Sequence, residues 1–231
     1  MIRVFVSCAL SADTTVMLND EQVHYLYHVM RRTVGDEIAV FNGRDGEWVA
    51  VISELNKKRG ILTVSCQTRI QEVSSGAVLA MAMIKKDNFD LVLQKATELG
   101  VQKIIPLITA RTVVSKLNLS RAKHIVQEAA EQCERMDVPE VCEPMTLKAF
   151  LTSNLAQKIV YLSERGQTIT HIKRTEPVCF VVGPEGGWTP EEIQTFETHQ
   201  NVKALNLGRL ILRAETAAIA ILSAHRFDIC G

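Results

Sequence analysis

Two segments near the carboxyl end combine glycine with charged residues in a pattern typical of a ligand site. Residues 181–190 have the sequence VVGPEGGWTP, and residues 205–217 have the sequence LNLGRLILRAETA. Each is an apolar run that breaks at glycine and then starts a helix. Glycine lets the backbone approach a ligand closely or adopt a positive φ. Because loops that follow neighbouring strands form a crevice, the two segments predict a small-molecule site.

The polar groups of these loops suggest what the site could hold. The main chain around Gly208 would offer hydrogen-bonding groups beside leucine side chains, which suits the edge and faces of adenine. Glu185 could face a cationic ligand or be solvated. Arg213 and Glu215 stand out because residues 210–222 are otherwise apolar or small. Charges in such surroundings are rarely unpaired. One interpretation is that the two side chains pair with each other or with the backbone. The other is that they belong to the ligand site, and the two flanking glycine loops favour this one.

The glycine pattern excludes one class of phosphate site. Residues 183–187 lack the Gly-Lys-Ser/Thr sequence of a Walker loop and do not match Gly-x-Gly-x-x-Gly. A nucleotide hydrolase is therefore disfavoured. The structural alternative for this segment is a tight turn between a strand and a helix, and for residues 205–217 it is a buried loop that leads into a core helix.

The elements around these loops predict a parallel α/β sheet. Apolar runs without interruption suit strands that are buried on both faces, and we expect strands at 78–84, 103–107, 158–162, 178–182 and 202–205. Gly100 is predicted to end a helix, and Ser120 to cap one that runs to about residue 135. Thr189, Pro190 and Glu192 form a predicted capping box, and the last helix is expected at 213–227.

The first seventy residues instead predict a small β-barrel. Strands are expected at 2–7, 37–41, 47–53 and 61–66, with a hairpin turn at 42–46 and one helix at about 20–31. Residues 72–76 form the predicted linker. We therefore expect two domains, at residues 1–72 and 77–231.

Composition limits the partners. The 231 residues hold 26 basic and 26 acidic side chains, so a nucleic acid would have to bind local basic patches. Six cysteines without Cys-x-x-Cys spacing, most of them in apolar runs, predict buried free thiols in a reducing cytoplasm. No apolar stretch approaches the roughly 20 residues that a membrane span needs. His24 and His28 could share a metal, but no third ligand is evident, so no metal is expected.

Five sequence strings, in this order and spacing, carry a family resemblance. They are HYLYHVMRR at 24–32, QKATELG at 94–100, EAAEQ at 128–132, VVGPEGG at 181–187 and ILRAETA at 211–217. Together they resemble the ribosomal RNA small-subunit methyltransferase E family, whose members methylate N3 of a uridine in 16S rRNA. The likeness covers nearly the whole chain.

The resemblance implies a fold, a cofactor and an assembly. It implies a PUA-like β-barrel followed by a SPOUT methyltransferase domain with a deep trefoil knot, S-adenosylmethionine as methyl donor, and a homodimer. The family pattern places the donor against Leu162, Gly183, Pro184, Glu185, Gly186, Leu205, Leu207, Gly208, Leu210, Leu212 and Thr216. The chain departs from the pattern at Leu210, where the family usually has arginine, and has Arg209 just before it.

The resemblance also implies catalytic and RNA-binding residues. Uridine N3 carries a proton, so its methylation needs a base or a cation that stabilises the anion. We expect Arg213 to be the cation, and Glu215 to be the base or to orient Arg213. The implied RNA contacts, which would position the RNA through its phosphates, are Arg3, His28, Arg31, Arg32, Lys85 and Lys86. The alternatives are a SPOUT enzyme for another RNA and a non-catalytic RNA-binding assembly factor.

Overall fold

The chain divides into two units in a computed structural model that describes residues 1–72, 76–114, 116–153, 158–168 and 177–227. One unit consists of Met1–Val73 and Ala130–Val138. The other consists of Ser74–Ala129 and Pro139–Gly231. The linker predicted at 72–76 lies mostly outside the described residues.

The first unit is built on a five-stranded sheet in the order β1-β3-β4-β5-β2. Its strands are β1 (Arg3–Phe5), β2 (Thr15–Met17), β3 (Glu37–Phe41), β4 (Glu47–Leu55) and β5 (Gly60–Arg69). The β1–β3 pair is parallel and the other pairs are antiparallel. The β3–β4 hairpin was predicted, whereas β2 was not, because three residues are too few to show an alternating pattern. Apolar side chains on one face of the sheet form the core, among them Val4, Ile38, Ile52 and Leu62.

The helix predicted at 20–31 is shorter and changes type within this unit. Helix α1 (Asp20–His24) starts at the Asn19 cap and continues as a π-helical turn, Tyr25–Val29. The amide of Met30 donates to the Tyr25 carbonyl, and Arg31 then takes a φ of 51°. Leu26 is fully buried in the core. Its neighbour Tyr25 is exposed and Tyr27 is half-buried. Short π-helical turns of this kind are often found at functional sites.

Arg3 has a structural role, which corrects the prediction that it contacts RNA phosphate. Its side chain is buried, and Nε lies 2.7 Å from Glu47 Oε2. Its terminal nitrogens donate to main-chain carbonyls, including that of Arg135 at 2.8 Å, and the guanidinium lies 4.4 Å from the centre of the Phe41 ring. A buried cation needs such partners. The guanidinium is therefore occupied inside the unit.

Gly46 in the β3–β4 turn makes a test of this unit. It has a φ of 79°, and an added Cβ would lie 2.2 Å from the Arg69 carbonyl oxygen. We expect Gly46→Ala to lower the free energy of unfolding by about 2–5 kcal/mol, from backbone strain plus the clash. Gly35→Ala is the control, since Gly35 has a φ of 94° but open space. Urea unfolding should show that Gly35→Ala lowers the free energy of unfolding by only about 1–2 kcal/mol. Equal losses in the two variants would show that the clash with the Arg69 carbonyl does not contribute.

The second unit contains a seven-stranded sheet in the order β12-β10-β11-β6-β7-β8, with β9 paired to β7. All of its pairs are parallel. The strands are β6 (Val78–Ala82), β7 (Lys103–Ile108), β8 (Glu140–Val141), β9 (Met145–Thr146), β10 (Ile159–Thr168), β11 (Cys179–Val182) and β12 (Val202–Asn206). The parallel sheet that the apolar runs predicted is therefore confirmed.

The later helices of the chain follow their capping signals. They are α2 (Lys86–Glu98), α3 (Leu119–Gln132), α4 (Leu147–Thr152), α5 (Pro190–Glu197) and α6 (Ala214–Phe227). The Thr189–Glu192 capping box is present, and Gly100 has a φ of 84° after α2, both as predicted. The predicted Ser120 cap is wrong, because Ser120 already lies inside α3 and the Asn118 side chain accepts from the Arg121 amide. Helix α4 was not predicted.

The cysteines are less buried than the sequence predicted. Of the five described, Cys8 and Cys66 are exposed, and only Cys179 is buried. Burial raises the pKa of the Cys179 thiol to about 12. Cys230 lies outside the described residues. Among the helices that the structure describes, none is long and apolar enough to cross a membrane.

Candidate functional site

Three loops meet at the carboxyl edge of the second unit's sheet. Strand β10 lies between β11 and β12. Leu162 in β10 lies opposite Leu205 in β12, and the preceding residue Tyr161 lies opposite Val181 in β11. The register therefore brings Leu162, Gly183 and the segment after Leu205 to one edge. In open α/β sheets ligands bind at this edge.

A bulge in β10 shapes the first of these loops and ties it to the third. Leu162 and Gln167 both pair with Leu205, so the residues between them leave the ladder. The Asn206 side chain donates to the Glu164 carbonyl at 2.5 Å and accepts from the Gly208 amide at 2.6 Å. Gly208 has a φ of 116° with no atom within 4 Å of an added Cβ. The prediction missed Asn206, because no local pattern distinguishes a bridging asparagine from a solvated one.

Trp188 ties the first loop to the glycine loop, which we define as Gly183–Gly187. Its indole Nε1 donates to the Leu162 carbonyl at 2.8 Å. Its ring lies against Gly183, where an added Cβ would be 2.9 Å from Cε2. The ring also packs edge-on against Phe196, with centroids 4.9 Å apart. Gly183 is thus required for close approach of an aromatic ring, a reason for this glycine that the sequence did not reveal.

The residues that the resemblance assigned to the donor surround this edge with different exposures. Pro184 and Leu205 are buried, while Leu162, Gly183, Leu207 and Leu212 are half-buried. The exposed ones are Glu185, Gly186, Gly208, Leu210 and Thr216. Leu210 is 81% exposed and so is its neighbour Ile211. Leu207 and Leu212 can therefore line an apolar wall, whereas Leu210 extends into solvent.

The two candidate catalytic residues differ in exposure. Arg213 is exposed directly before α6, and its carbonyl accepts from the Ala217 amide at 2.8 Å. Glu215 is only 8% exposed, and its Oε2 is buried without a hydrogen-bond partner among the described residues. No ion pair between the two is found there. The structure therefore does not support an orienting contact from Glu215 to Arg213.

The candidate RNA-binding residues other than Arg3 lie at the surface. His28 and Arg31 are exposed, and Arg32 is half-buried with an ion pair to Asp36 at 3.8 Å. All three belong to the first unit. In the second unit, Lys85 and Lys86 are both exposed at the start of α2. His24 and His28 have ring centroids 5.1 Å apart, but no three His, Cys, Asp or Glu of the described part form a group for a metal.

A further loop contacts the glycine loop from the β7 side. The Arg111 guanidinium donates to the Gly186 carbonyl at 2.5 Å, and the Ala110 amide donates to Glu192 at 2.8 Å. Hydrogen bonds from its own amide and from Thr189 lower the pKa of the Glu191 carboxyl, and the charge of Arg111 adds to this. Sequence reasoning missed this loop, because its contacts join segments about eighty residues apart along the chain.

The sequence of this chain matches known RNA methyltransferase families. Residues 71–226 match a family described as RNA methyltransferase domain, and residues 18–65 match an RNA methyltransferase PUA domain. A ribosomal RNA small subunit methyltransferase E from Rickettsia conorii is 34% identical, covering 97% of this chain and 94% of its own. The protein of the same name from Synechocystis is also 34% identical, over 96% of this chain and 76% of its own.

Two solved structures match almost the whole chain. One is a ribosomal RNA small subunit methyltransferase E from Neisseria gonorrhoeae bound to S-adenosyl methionine; it has a TM-score of 0.88 and 32% identity, covering 98% of this chain and 97% of that one. The other is a Legionella pneumophila protein in complex with bound SAM, with a TM-score of 0.90, 30% identity and the same coverage. The fold is thus an α/β methyltransferase fold with a PUA-like domain, and the chain belongs to the ribosomal RNA small subunit methyltransferase E family.

Proposed function

We propose that this protein transfers a methyl group from S-adenosylmethionine to N3 of a uridine in 16S rRNA. The observation that carries the proposal is the convergence of three loops at the carboxyl edge of the sheet, tied together by Trp188 and Asn206. The family membership and the two relatives solved with this cofactor support it.

The residues present fit the cofactor. Gly208 leaves open space at a positive φ, which allows close approach of a ligand to the main chain. The half-buried Leu207 and Leu212 offer apolar contact for an adenine face. When bound, S-adenosylmethionine supplies an electrophilic methyl group on a sulfonium.

In this proposal Arg213 and Glu215 have different roles in activating the uridine. The N3 proton must leave before its lone pair can attack, and a nearby cation stabilises the resulting anion. Arg213 is exposed beside the loops and keeps its guanidinium free of ion pairs within the described residues. The Glu215 carboxylate, whose Oε2 has no hydrogen-bond partner among the described residues, is the proton acceptor in this proposal. We assign the cationic role to Arg213 and the base to Glu215.

The wider architecture belongs to the same proposal. We assign RNA binding to a PUA-like barrel at residues 1–72 and catalysis to a knotted SPOUT domain at 77–231, in a cytoplasmic homodimer. Leu210 and Ile211 support dimerisation, because two adjacent apolar side chains that are each 81% exposed favour burial against a partner. Light scattering that gave a monomer mass for the active protein would contradict the dimer.

RNA binding should depend on His28, Arg31, Arg32, Lys85 and Lys86 through phosphate charge. We expect Arg31→Gln and Lys86→Gln each to weaken binding of 16S rRNA and to reduce the slope of log K against log salt by about one. Lys148→Gln in α4 is the control, an exposed lysine outside these sites. Filter binding at several salt concentrations measures the slopes. An unchanged slope for Arg31→Gln would remove that residue from the RNA surface.

Mass mapping of 16S rRNA from cells with and without this protein tests the proposed reaction. The expected result is the loss of one methyl group on one uridine when the protein is absent, and its return when purified protein and S-adenosylmethionine are added. A methyl group lost from another RNA instead would show that the enzyme acts on that RNA. An unchanged methylation pattern, together with no heat on titrating the cofactor, would support a non-catalytic assembly factor instead.

A further inference from the structure

The turn after β7 is a rigid structure that holds two groups toward the glycine loop. Thr109 is buried, its amide donates to Thr112 Oγ1 at 3.0 Å, and the two hydroxyls are 2.8 Å apart. The Thr112 amide in turn donates to the Thr109 carbonyl at 3.2 Å. These bonds close a short turn, so Ala110 and Arg111 at its tip have little freedom.

Two hydrogen bonds run from this tip to the segment that contains the glycine loop. The Ala110 amide donates to Glu192 Oε1 at 2.8 Å, while Glu192 Oε2 accepts from the Thr189 amide at 2.9 Å. The Arg111 guanidinium donates to the Gly186 carbonyl at 2.5 Å. Gly186 admits this contact because it has no side chain: an added Cβ would lie 3.3 Å from both Cβ and Cδ of Arg111. One carboxylate and one guanidinium thus join the two loops.

The glycine loop benefits from such support because three of its five residues are glycine, although Pro184 and the bond from the Gly187 amide to the Pro184 carbonyl restrict part of it. Gly183, Gly186 and Gly187 lack side chains, and glycine loses more conformational freedom on ordering than any other residue. Trp188 holds one side of the loop through the Leu162 carbonyl. Arg111 holds the opposite side. A loop fixed from both sides before a ligand arrives binds it without a further ordering cost.

We propose that Arg111 is a positioning residue that holds the glycine loop in the conformation that accepts S-adenosylmethionine. Because the loop is taken to hold this cofactor, the role of Arg111 rests on the proposed function. Arg111 acts through the Gly186 main chain and needs no contact with the reacting atoms. Lysine can donate one hydrogen bond to a carbonyl but lacks the fixed planar geometry of the guanidinium, so Arg111→Lys should retain only part of what Arg111→Ala loses.

The test compares cofactor binding with methyl transfer in the full-length protein. We expect Arg111→Ala to raise the dissociation constant of S-adenosylmethionine about tenfold, the loss typical of one charge-assisted hydrogen bond, measured by calorimetry. The single-turnover rate on 16S rRNA should recover at saturating cofactor, because the catalytic groups remain. Arg121→Ala, which removes an exposed ion pair with Asp90 in the same unit, is the control and should bind the cofactor like the parent protein.

Trp188 provides a second readout that separates positioning from general loss of structure. The chain has two tryptophans, so in a Trp48→Phe background Trp188 is the single indole emitter. Arg111→Ala in that background should shift the Trp188 emission to longer wavelength without cofactor, because its loop loosens, while the thermal midpoint stays near that of Trp48→Phe alone. An unchanged spectrum would overturn the proposed positioning.

The outcomes distinguish this inference from the proposed function. If the parent protein binds S-adenosylmethionine and Gly183→Ala weakens it, the site is established independently of Arg111. Unchanged cofactor affinity in Arg111→Ala would then overturn only the role of Arg111. Weakened RNA binding with normal cofactor affinity would overturn it too and make Arg111 an RNA contact. Failure of the parent protein to bind the cofactor at all would instead refute the proposed function.

Discussion

Replacing Arg213 with alanine should lower the rate of methyl transfer by about 10²–10³-fold, the usual effect of removing one group that stabilises developing negative charge. The uridine ring becomes negatively charged as N3 loses its proton, and Arg213 is an exposed cation between the loop after β12 and α6. The dissociation constant of S-adenosylmethionine should change by no more than about twofold, because the lost interaction forms only with the reacting uridine.

Single-turnover transfer of a labelled methyl group to 16S rRNA measures this effect, with calorimetry for the cofactor. Arg121→Ala is again the matched control, an exposed arginine in the same unit. Losses of equal size in transfer and in cofactor affinity would reassign Arg213 to donor binding. Glu215→Gln separates the base from the cation: it should slow transfer in a way that higher pH partly rescues, since hydroxide can replace a missing base but not a missing cation.

Gly183→Ala should weaken binding of S-adenosylmethionine by about tenfold or more. Inserting a methyl group into a packed site typically costs at least the free energy that corresponds to a tenfold change in the dissociation constant. The new methyl group would lie 2.9 Å from Trp188 Cε2 and 3.2 Å from Nε1. The indole must move, and its bond to the Leu162 carbonyl is then strained or lost. One methyl group thereby disturbs two of the three loops.

A double variant tests this steric explanation. Trp188→Phe removes the clashing part of the ring as well as the Nε1 donor, so it should weaken cofactor binding by itself. Adding Gly183→Ala to Trp188→Phe should then cost little more, because residues in contact are not additive. Calorimetry on the four proteins gives the comparison. Fully additive losses would show that Gly183 acts by some route other than its contact with Trp188.

The helices and strands of this fold were predictable wherever they depend on residues that are close together in the sequence. The Thr189–Glu192 capping box, the Gly100 helix end and the β3–β4 hairpin depend on residues a few positions apart, and all three are present. The apolar runs of the parallel strands were equally clear. The short elements β2 and α4 were missed, and one boundary was misplaced: Asn118 rather than Ser120 provides the α3 cap, because both are good capping residues and only geometry selects one.

The contacts that organise the site were not predictable, because they join distant segments. Asn206 to Glu164, Trp188 to Leu162 and Arg111 to Gly186 span 42, 26 and 75 positions of the chain. Arg3 was misjudged for the same reason. A cation near the start of a strand looks like a surface charge until the fold encloses it with Glu47 and three carbonyls.

A crystal structure with S-adenosylmethionine added at saturating concentration is the most direct test of the site. We expect electron density for the cofactor between the β10 bulge and the loops after β11 and β12, in contact with the main chain of residues 207–212 and with the glycine loop. Density for the compound elsewhere on the protein, with these three loops empty of it, would contradict the proposed site and the roles given to Arg213 and Glu215.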